Sequence, residues 1–242
     1  MITKMNEAYK IMHKKAQIGF GFFCWILFGI LLFNVLTKSL FIRSIDTSGF
    51  ALTAPVSKVK TTILTELTFM GDPVTVGIIT IGLMLLLWRR GRATDSVWYG
   101  MLQFIGYCLV IFIKYSVTRL RPSFRLIDVS GYSFPSGHTF STAIFTFTIL
   151  ALLLPYCKVK WQKVILGIVG ALWIIIIMYS RVYLRAHFTS DVIGAFLLMS
   201  LDLVECVSRA NARNKKPPAM RVGDKNYIKK ASFALRCRCS SQ

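Results

Sequence analysis

The chain has 242 residues, of which 55% are hydrophobic and 17% charged, and its mean hydropathy is +0.57. It carries 30 Lys and Arg against 10 Asp and Glu, which gives a formal net charge of +20. An ordinary soluble domain is excluded, because the apolar residues are grouped in runs long enough to cross a bilayer.

Six apolar runs predict an all-α membrane protein with six transmembrane helices in one bundle. The loops between the runs are too short to fold separately, so we expect residues 1–242 to form a single domain. The first run is long and no small-residue cleavage pattern follows it, so we expect a retained span and not a cleaved signal peptide. The predicted spans cover residues 18–36, 73–88, 97–117, 139–155, 162–180 and 190–207.

Basic residues are concentrated on one side of the predicted bundle. Twenty of the 30 Lys and Arg lie in the N-terminal segment 1–17, the loops at 89–92 and 158–163, or the tail 208–242. The positive-inside rule therefore predicts that both termini are cytoplasmic. The basic tail contains no recognisable nucleic-acid-binding module, so we expect it to rest on anionic headgroups and not to bind nucleic acid. None of the six cysteines falls in a predicted outer loop, so free thiols are expected.

The segment 43–72 joins the first two spans on the outer side and shows a helical apolar pattern. Val59, Ile63, Leu67 and Met70 recur at helical spacing among charged residues. We expect an amphipathic helix on the outer leaflet, which acts either as a packed connector or as a gate for lipid entry.

A basic pair marks the outer end of the third predicted span. Lys114 and Arg121 are seven residues apart, or two helical turns, so they are predicted to project from the same side of the helix until Pro122 ends it. Arg offers a planar fork for phosphate oxygens, and Lys adds a point charge on a flexible stem. Together they can bind one anion, although either residue alone is equally typical of an anchor at a span end.

The fourth span begins with a sequence typical of an anion site. Pro135-Ser136-Gly137-His138 runs straight into the apolar helix, where backbone N–H groups have no intrahelical acceptor. Such a helix N-terminus binds phosphate, Gly137 permits close approach of the backbone, and Ser136 adds a hydroxyl donor. Taken alone, the pattern also fits an ordinary Ser N-cap followed by a histidine in the first turn.

The residues before the sixth span include the most reactive candidates. His187 and Asp191 are four residues apart, which would put imidazole and carboxylate on one helix face. The carboxylate would then fix the tautomer and leave the other ring nitrogen with a lone pair for nucleophilic or basic chemistry. A structural His–Asp pair and a metal site are the alternatives. Metal is disfavoured, because two histidines and one carboxylate would have to bind the ion among cations such as Arg181.

Helix rise places the three motifs at one level. At about 1.5 Å per residue, the helix that starts beside the loop at 89–92 brings Lys114 near the outer interface, and the helix from Lys163 brings Arg181 to the same height. The motifs then supply what cleavage of a phosphomonoester needs. The predicted roles are His187 as nucleophile, Asp191 as its orienting acid, His138 as proton donor to the leaving alkoxide, and Lys114, Arg121, Ser136, Gly137 and Arg181 as phosphate donors.

These motifs carry a resemblance to a known family. Lys-x6-Arg-Pro at 114–122, Pro-Ser-Gly-His at 135–138 and Ser-Arg-x5-His-x3-Asp at 180–191 resemble the three-part signature of the type 2 phosphatidic acid phosphatases. The resemblance implies a metal-independent lipid phosphatase without a cofactor. It also implies that His187 forms a phosphohistidine and that His138 acts as general acid.

The resemblance further implies that Asp191 activates the nucleophile and that the five phosphate donors hold the phosphate. Bacterial members of this size act on undecaprenyl diphosphate, phosphatidylglycerol phosphate or phosphatidic acid. A site on the extracellular side favours undecaprenyl diphosphate and the recycling of a cell wall lipid carrier. Arg119, Arg125 and Arg185 are extra cations that would favour a diphosphate.

Two other functions would use the same residues. In a lipid phosphotransferase, the hydroxyl of another lipid captures the phosphoryl group instead of water. In a non-catalytic lipid-binding or transport protein, the cations only dock headgroups. The two histidines and Asp191 favour an enzyme, because docking a headgroup requires none of the three.

Overall fold

The computed structural model describes residues 2–200, 204 and 206, with side chains from residue 16 onward. These residues form eight α-helices and one short 3-10 turn, and no strand occurs among them. The all-α prediction is confirmed for this part of the chain. The elements are α1 (Ile2–Leu36), α2 (Leu40–Leu52), α3 (Lys58–Phe69), α4 (Pro73–Arg89), α5 (Ala93–Val117), α6 (Gly137–Leu153), the 3-10 turn (Leu154–Tyr156), α7 (Lys160–Tyr183) and α8 (Thr189–Leu198).

Five helical stretches are long and apolar enough to cross a membrane, and they coincide with the first five predicted spans. The predicted sixth span, 190–207, starts with α8, whose ten residues extend only about 15 Å at 1.5 Å each. The rest of that span, apart from 204 and 206, and the basic tail 208–242 lie outside the described residues, so the sixth span stays a prediction. The five stretches are Ala16–Leu36, Lys58–Arg89, Ala93–Val117, Gly137–Tyr156 and Lys160–Tyr183.

Helix α6 forms the centre of the bundle. Its span is 61% buried, against 22% for the Lys160–Tyr183 span, and it packs against α4, α5, α7 and α8. Gly106 lets α5 approach closely, since a Cβ there would lie 2.7 Å from the Phe140 ring. The central position of α6 places its N-terminus in the middle of one end of the bundle.

The segment 43–72 forms two helices, α2 and α3, where one amphipathic helix was expected. Val59, Ile63 and Met70 on the predicted apolar stripe of α3 are exposed. Leu64, which lies outside that stripe, is the residue that packs against Tyr183. Leu67 of the stripe packs partly against the same cluster, so three of the four predicted residues stay uncovered by protein, as a lipid-facing surface would be. The role of this helix as a gate stays a prediction.

The two ends of the bundle differ in what they carry. Helices α4, α6 and α8 begin, and α5 and α7 end, at one end, where all three sequence motifs lie. Ser141 Oγ donates to the carbonyl of Gly71 at 2.6 Å and fastens the start of α4 to the start of α6. The opposite end carries the basic loops at 89–92 and 158–163. The alternation of helix direction thus brings the motifs together, as helix rise predicts.

Candidate active site

The first motif lies in a loop whose backbone differs from the prediction. Helix α5 ends at Val117, because Thr118 adopts φ +50° and the helix does not continue through Arg121. A left-handed non-glycine residue costs roughly 1–2 kcal/mol, so it appears where tertiary contacts impose it. Lys114 and Arg121 therefore do not share a helix, and that prediction is wrong.

Both cations nevertheless bind the loop that leads into α6. Lys114 Nζ donates to the carbonyl oxygens of Tyr132 at 2.8 Å and Pro135 at 3.0 Å. Arg121 Nε donates to the carbonyl oxygen of Gly131 at 3.0 Å. One loop thus fixes two cations at the same wall of the site, although no helical period relates them.

His187 lies at the centre of the site and is 1% exposed. Its Nδ1 is 2.8 Å from the carbonyl oxygen of Ser133, and because a carbonyl only accepts, Nδ1 carries the proton. Nε2 keeps its lone pair and lies 3.0 Å from Arg121 Nη1. Asp191 Oδ2 is farther from Nδ1, at 3.4 Å. The Ser133 carbonyl thus fixes the tautomer, where the sequence suggests that Asp191 does.

The His187–Asp191 pair arises from a helix cap and not from a shared helix face. Helix α7 ends at Tyr183 and α8 begins at Thr189, so His187 lies in the turn between them and the predicted helix face is wrong. Asp191 Oδ2 accepts the N–H of Phe188 at 2.9 Å, as an acidic residue in the first turn of a helix does. This cap sets the position of the carboxylate beside the imidazole.

Electrostatics keeps the imidazole neutral. Burial lowers the pKa of His187 well below its ordinary value of 6.5, and Arg181, Arg121 and Lys114 act in the same direction. A neutral ring with a free lone pair is the form that a nucleophilic histidine needs. The imidazole ring is therefore surrounded by three cations: Lys114 from α5, Arg121 from the loop between α5 and α6, and Arg181 from α7.

The start of α6 forms another wall of the site. Ser136 is the N-cap, and its Oγ accepts from the N–H of Thr139 at 3.4 Å. The Ser136 N–H donates to the backbone carbonyl of Asp191 at 3.1 Å, which fastens the start of α6 to α8. Gly137 and His138 follow in the first turn, where backbone N–H groups lack helical acceptors. The predicted helix-terminal anion site and His187 thus belong to one site.

Arg181 is a buried cation with unused donors. Its side chain is 1% exposed, and Nη1 donates to Thr68 Oγ1 at 3.3 Å. Nε and Nη2 are buried without a hydrogen-bond partner. A buried charge in this state is costly unless a ligand completes its hydrogen bonds. An anion between Arg181 and His187 would supply those bonds.

His138 faces a carboxylate that sequence reasoning missed. Asp72 Oδ1 lies 3.3 Å from His138 Nε2, while Asp72 Oδ2 caps α4 by accepting the N–H of Val74 at 2.9 Å. The dipeptide Asp72-Pro73 is a typical helix start and could have marked the cap. Its closeness to His138 comes from the packing of α4 on α6, which one sequence does not reveal.

The three extra cations, Arg119, Arg125 and Arg185, differ in how the protein binds them. Arg119 is held by two carboxylates, with Nη2 at 2.6 Å from Asp46 Oδ2 and Nη1 at 2.7 Å from Asp191 Oδ1. Arg185 Nη2 donates to a backbone carbonyl of α2 at 3.1 Å. Arg119 is therefore bound by the protein, Arg185 is bound through Nη2 while its Nη1 is buried without a hydrogen-bond partner, and Arg125 is exposed.

Metal-ligating side chains are not clustered in the part of the chain that the structure describes. No group of three or more His, Cys, Asp or Glu side chains there could hold a metal ion. The carboxylates beside the two histidines, Asp72 and Asp191, are engaged by a helix cap and by Arg119. The donors at the site are thus mainly cationic and suited to an anion.

Comparison with known proteins gives matches in the same region. The sequence model of the PAP2 superfamily matches residues 95–214, a stretch that contains all three motifs. Phosphatidylglycerophosphatase B of Bacillus subtilis strain 168 is 32% identical over 130 residues, and undecaprenyl-diphosphatase of Sulfolobus acidocaldarius is 32% identical over 134 residues. Each alignment covers 50% of this chain, and the chain spans 60% and 58% of the lengths of these two relatives.

Similarity of fold extends beyond the matched sequence. The crystal structure of a transmembrane PAP2 type phosphatidylglycerolphosphate phosphatase from Bacillus subtilis superposes with a TM-score of 0.69 at 21% identity. The superposition covers 82% of this chain and 98% of that one, which shows a shared fold. With its three motifs brought together at one end of that fold, the chain belongs to the PAP2 superfamily.

Proposed function

We propose that the protein is an integral membrane lipid phosphatase that removes phosphate from a lipid phosphate or diphosphate through a phosphohistidine on His187. The observation that carries the proposal is the state of this residue. It is buried, its Nδ1–H is held by the Ser133 carbonyl at 2.8 Å, and its Nε2 lone pair faces Arg121 at 3.0 Å. A lone pair fixed beside cations is arranged to attack phosphorus.

In the first step, the phosphate of the substrate takes over the Arg121 N–H that faces Nε2, and the lone pair becomes free. Nε2 then attacks the terminal phosphorus, and the bond from this phosphorus to the oxygen of the leaving group breaks. From a lipid monophosphate, His138 gives its proton to that oxygen and the lipid leaves as a neutral alcohol. From a lipid diphosphate, the leaving group is the lipid monophosphate, which is stable as an anion. Asp191, at 3.4 Å from Nδ1, balances the positive charge that His187 acquires.

In the second step, water attacks the phosphohistidine. His138, now neutral, accepts a proton from the water as the oxygen bonds to phosphorus. The bond between Nε2 and phosphorus breaks, inorganic phosphate leaves, and His187 regains its lone pair. The two steps consume one lipid phosphate and one water, and we propose that they need neither a metal nor a cofactor.

The transferred phosphoryl group spreads negative charge over its equatorial oxygens, and donors must meet that charge. Arg181 Nε and Nη2 are buried without partners, and Lys114 and the first turn of α6 add further donors. Loss of one such donor raises the barrier by roughly 2.7–4 kcal/mol in comparable oxyanion sites. These donors, from Arg181, Lys114 and the first turn of α6, are called the cradle below, and they act on the transition state more than on substrate binding.

We propose undecaprenyl diphosphate as the first substrate to test, followed by phosphatidylglycerol phosphate and phosphatidic acid. The names of the two relatives support the first two. We also propose that the site opens on the extracellular side and that both termini are cytoplasmic, because the basic loops lie at the opposite end of the bundle. Burial lowers the pKa of Arg121, and the charge of the exposed Arg125 acts in the same direction. We propose that Arg125 binds the second phosphate of a diphosphate.

The experiment that tests this function measures inorganic phosphate released by purified protein. The substrates are a prenyl diphosphate, phosphatidylglycerol phosphate and phosphatidic acid, each with and without a chelator. We expect release from at least one of them in both conditions, and almost none from His187→Gln. Arg92→Gln is the matched control, because it removes an ion pair with Asp95 at the opposite end of the bundle.

Other outcomes identify the alternatives. Transfer of phosphate to a lipid hydroxyl without free phosphate would indicate a phosphotransferase. Activity above about a tenth of normal in His187→Gln would contradict the role of His187 as nucleophile. Absence of phosphate release by the unmodified protein on every substrate would favour a non-catalytic lipid-binding or transport protein. Loss of activity on chelation would contradict metal independence.

A further inference from the structure

A buried ion-pair cluster behind the site joins α2 to the start of α8. Arg119 Nη2 lies 2.6 Å from Asp46 Oδ2, and Arg119 Nη1 lies 2.7 Å from Asp191 Oδ1. The side chains of Arg119, Asp46 and Asp191 are 16%, 7% and 0% exposed. One guanidinium thus connects two carboxylates that are almost out of water.

Ser190 closes this cluster into a ring of hydrogen bonds. Its N–H and its Oγ donate to Asp46 Oδ1 at 2.9 and 2.8 Å, and its Oγ accepts from Arg119 Nη1 at 2.7 Å. The Arg119 guanidinium also lies over the Phe188 ring, 4.1 Å from its centroid. The planar fork of Arg makes all these contacts at once, which the single ammonium of Lys cannot do. The turn that carries His187 is therefore held against α2.

We infer that Asp46 and Arg119 are positioning residues for the His187–Asp191 pair. This inference rests on the function proposed above. Arg119 holds Asp191 Oδ1, so Oδ2 is the oxygen that turns toward the imidazole. Arg119 also offsets part of the negative charge that Asp191 presents to His187, and Asp46 in turn moderates Arg119.

Removal of the charge of Arg119 or of Asp46 should change the protonation equilibrium of His187 in a predictable direction. Without Arg119, two buried carboxylates lose the cation between them, and protonated His187 becomes more favourable. Without the Asp46 charge, Arg119 pairs with Asp191 alone, and protonated His187 becomes less favourable. The groups that face His187 from the elements around it are Lys114, Arg121, His138, Arg181 and Asp191, with Asp72 behind His138, and all are present in every variant below.

Imidazole ¹⁵N NMR of the purified protein measures this effect without any substrate. The chain has three histidines, so His187→Gln assigns the signal of interest. We expect the protonation midpoint of His187 to be highest in Arg119→Gln, intermediate in the Asp46→Asn/Arg119→Gln double variant, and no higher in Asp46→Asn than in the unmodified protein. The double variant removes one positive and one negative charge, so it does not leave two buried carboxylates without a cation between them. It therefore keeps the test possible if Arg119→Gln alone does not fold. A midpoint in both Arg119→Gln and the double variant that does not exceed that of the unmodified protein would overturn the inference.

Kinetics gives the second readout. We expect Arg119→Gln to lower kcat by about 10–100-fold, as loss of an outer-shell partner does, with KM within about threefold. The double variant should regain part of that loss. Arg92→Gln is again the control, since its ion pair has a similar exposure of 16% and 17%. Unchanged kcat per folded molecule in Arg119→Gln would mean a purely structural ion pair and would overturn the inference. Absence of phosphate release by the unmodified protein would refute the proposed function, whereas the NMR order tests the positioning role in either case.

Discussion

The substitution Asp72→Asn should separate lipid monophosphates from lipid diphosphates. Asp72 Oδ1 lies 3.3 Å from His138 Nε2, and Asp72 Oδ2 caps α4. Asn is as good an N-cap as Asp, so the substitution keeps the start of α4 and removes the charge beside the histidine. In the proposed mechanism, that carboxylate orients His138 and balances its positive charge when it donates to the leaving oxygen.

The size of the effect follows from the contact. A hydrogen bond to a charged group contributes about 1.5–3 kcal/mol, and a contact of 3.3 Å is long, so we take the lower end, about 1.5 kcal/mol. At 1.36 kcal/mol for each factor of ten, kcat for a lipid monophosphate should fall about tenfold. The leaving group of a diphosphate is itself a phosphate, which is stable as an anion, so its kcat should change less than about threefold.

Single-turnover phosphate release from phosphatidic acid and from a prenyl diphosphate measures both rates under matched conditions. His138→Gln should show the same preference with a larger loss. Asp72→Ala is the control for the cap: it should match Asp72→Asn in rate and be less stable by about 1 kcal/mol. Equal losses on the two substrates, or no loss on the monophosphate, would refute the role assigned to Asp72.

Three further predictions concern the cradle, the nucleophile and the choice of substrate. Arg181→Gln should lower kcat by about 10²–10³-fold with correctly folded protein, and a loss confined to KM would contradict its role in the transition state. Since the pKa of folded His187 lies below its ordinary value of 6.5, the unfolded chain binds a proton that the folded chain does not as pH falls below that value. Thermal unfolding in detergent should therefore show a free energy of unfolding that is highest above pH 6.5 and decreases as pH falls, by up to about 1.4 kcal/mol per pH unit. His187→Gln should reduce this dependence of stability on pH. An unchanged dependence in the variant would contradict a neutral buried imidazole. Arg125→Gln should lower kcat/KM for a diphosphate more than for a monophosphate, and equal effects on the two would show that Arg125 does not bind the second phosphate.

Local patterns predicted the five spanning stretches and the motifs, because hydrophobic runs and helix starts are encoded by neighbouring residues. The start of α6 at Gly137 and the end of α7 near Arg181 follow from such signals. The end of α5 did not, since Thr118 leaves the helix in a backbone conformation that helical periodicity does not anticipate. The prediction that Lys114 and Arg121 lie on one helix therefore failed, although both reach the same loop.

The partners of the catalytic candidates were beyond local patterns. Asp46 lies 73 positions from Arg119 along the chain, and Asp72 meets His138 through packing of α4 on α6. No periodicity relates residues on different helices. From the sequence alone, Arg119 therefore resembles a surface cation and Asp72 resembles a simple helix cap. Similarly, the tautomer of His187 depends on the carbonyl of Ser133, and a backbone acceptor leaves no mark on side-chain spacing.

Covalent labelling of the nucleophile tests the central claim most directly. Purified protein would be mixed with a ³²P-labelled lipid phosphate, quenched in alkali, where a phosphohistidine survives, and digested for mapping by mass spectrometry. We expect the label on His187, formed at least as fast as turnover and absent from His187→Gln. Rapid release of phosphate with no label on His187, or with the label on another residue, would contradict the mechanism.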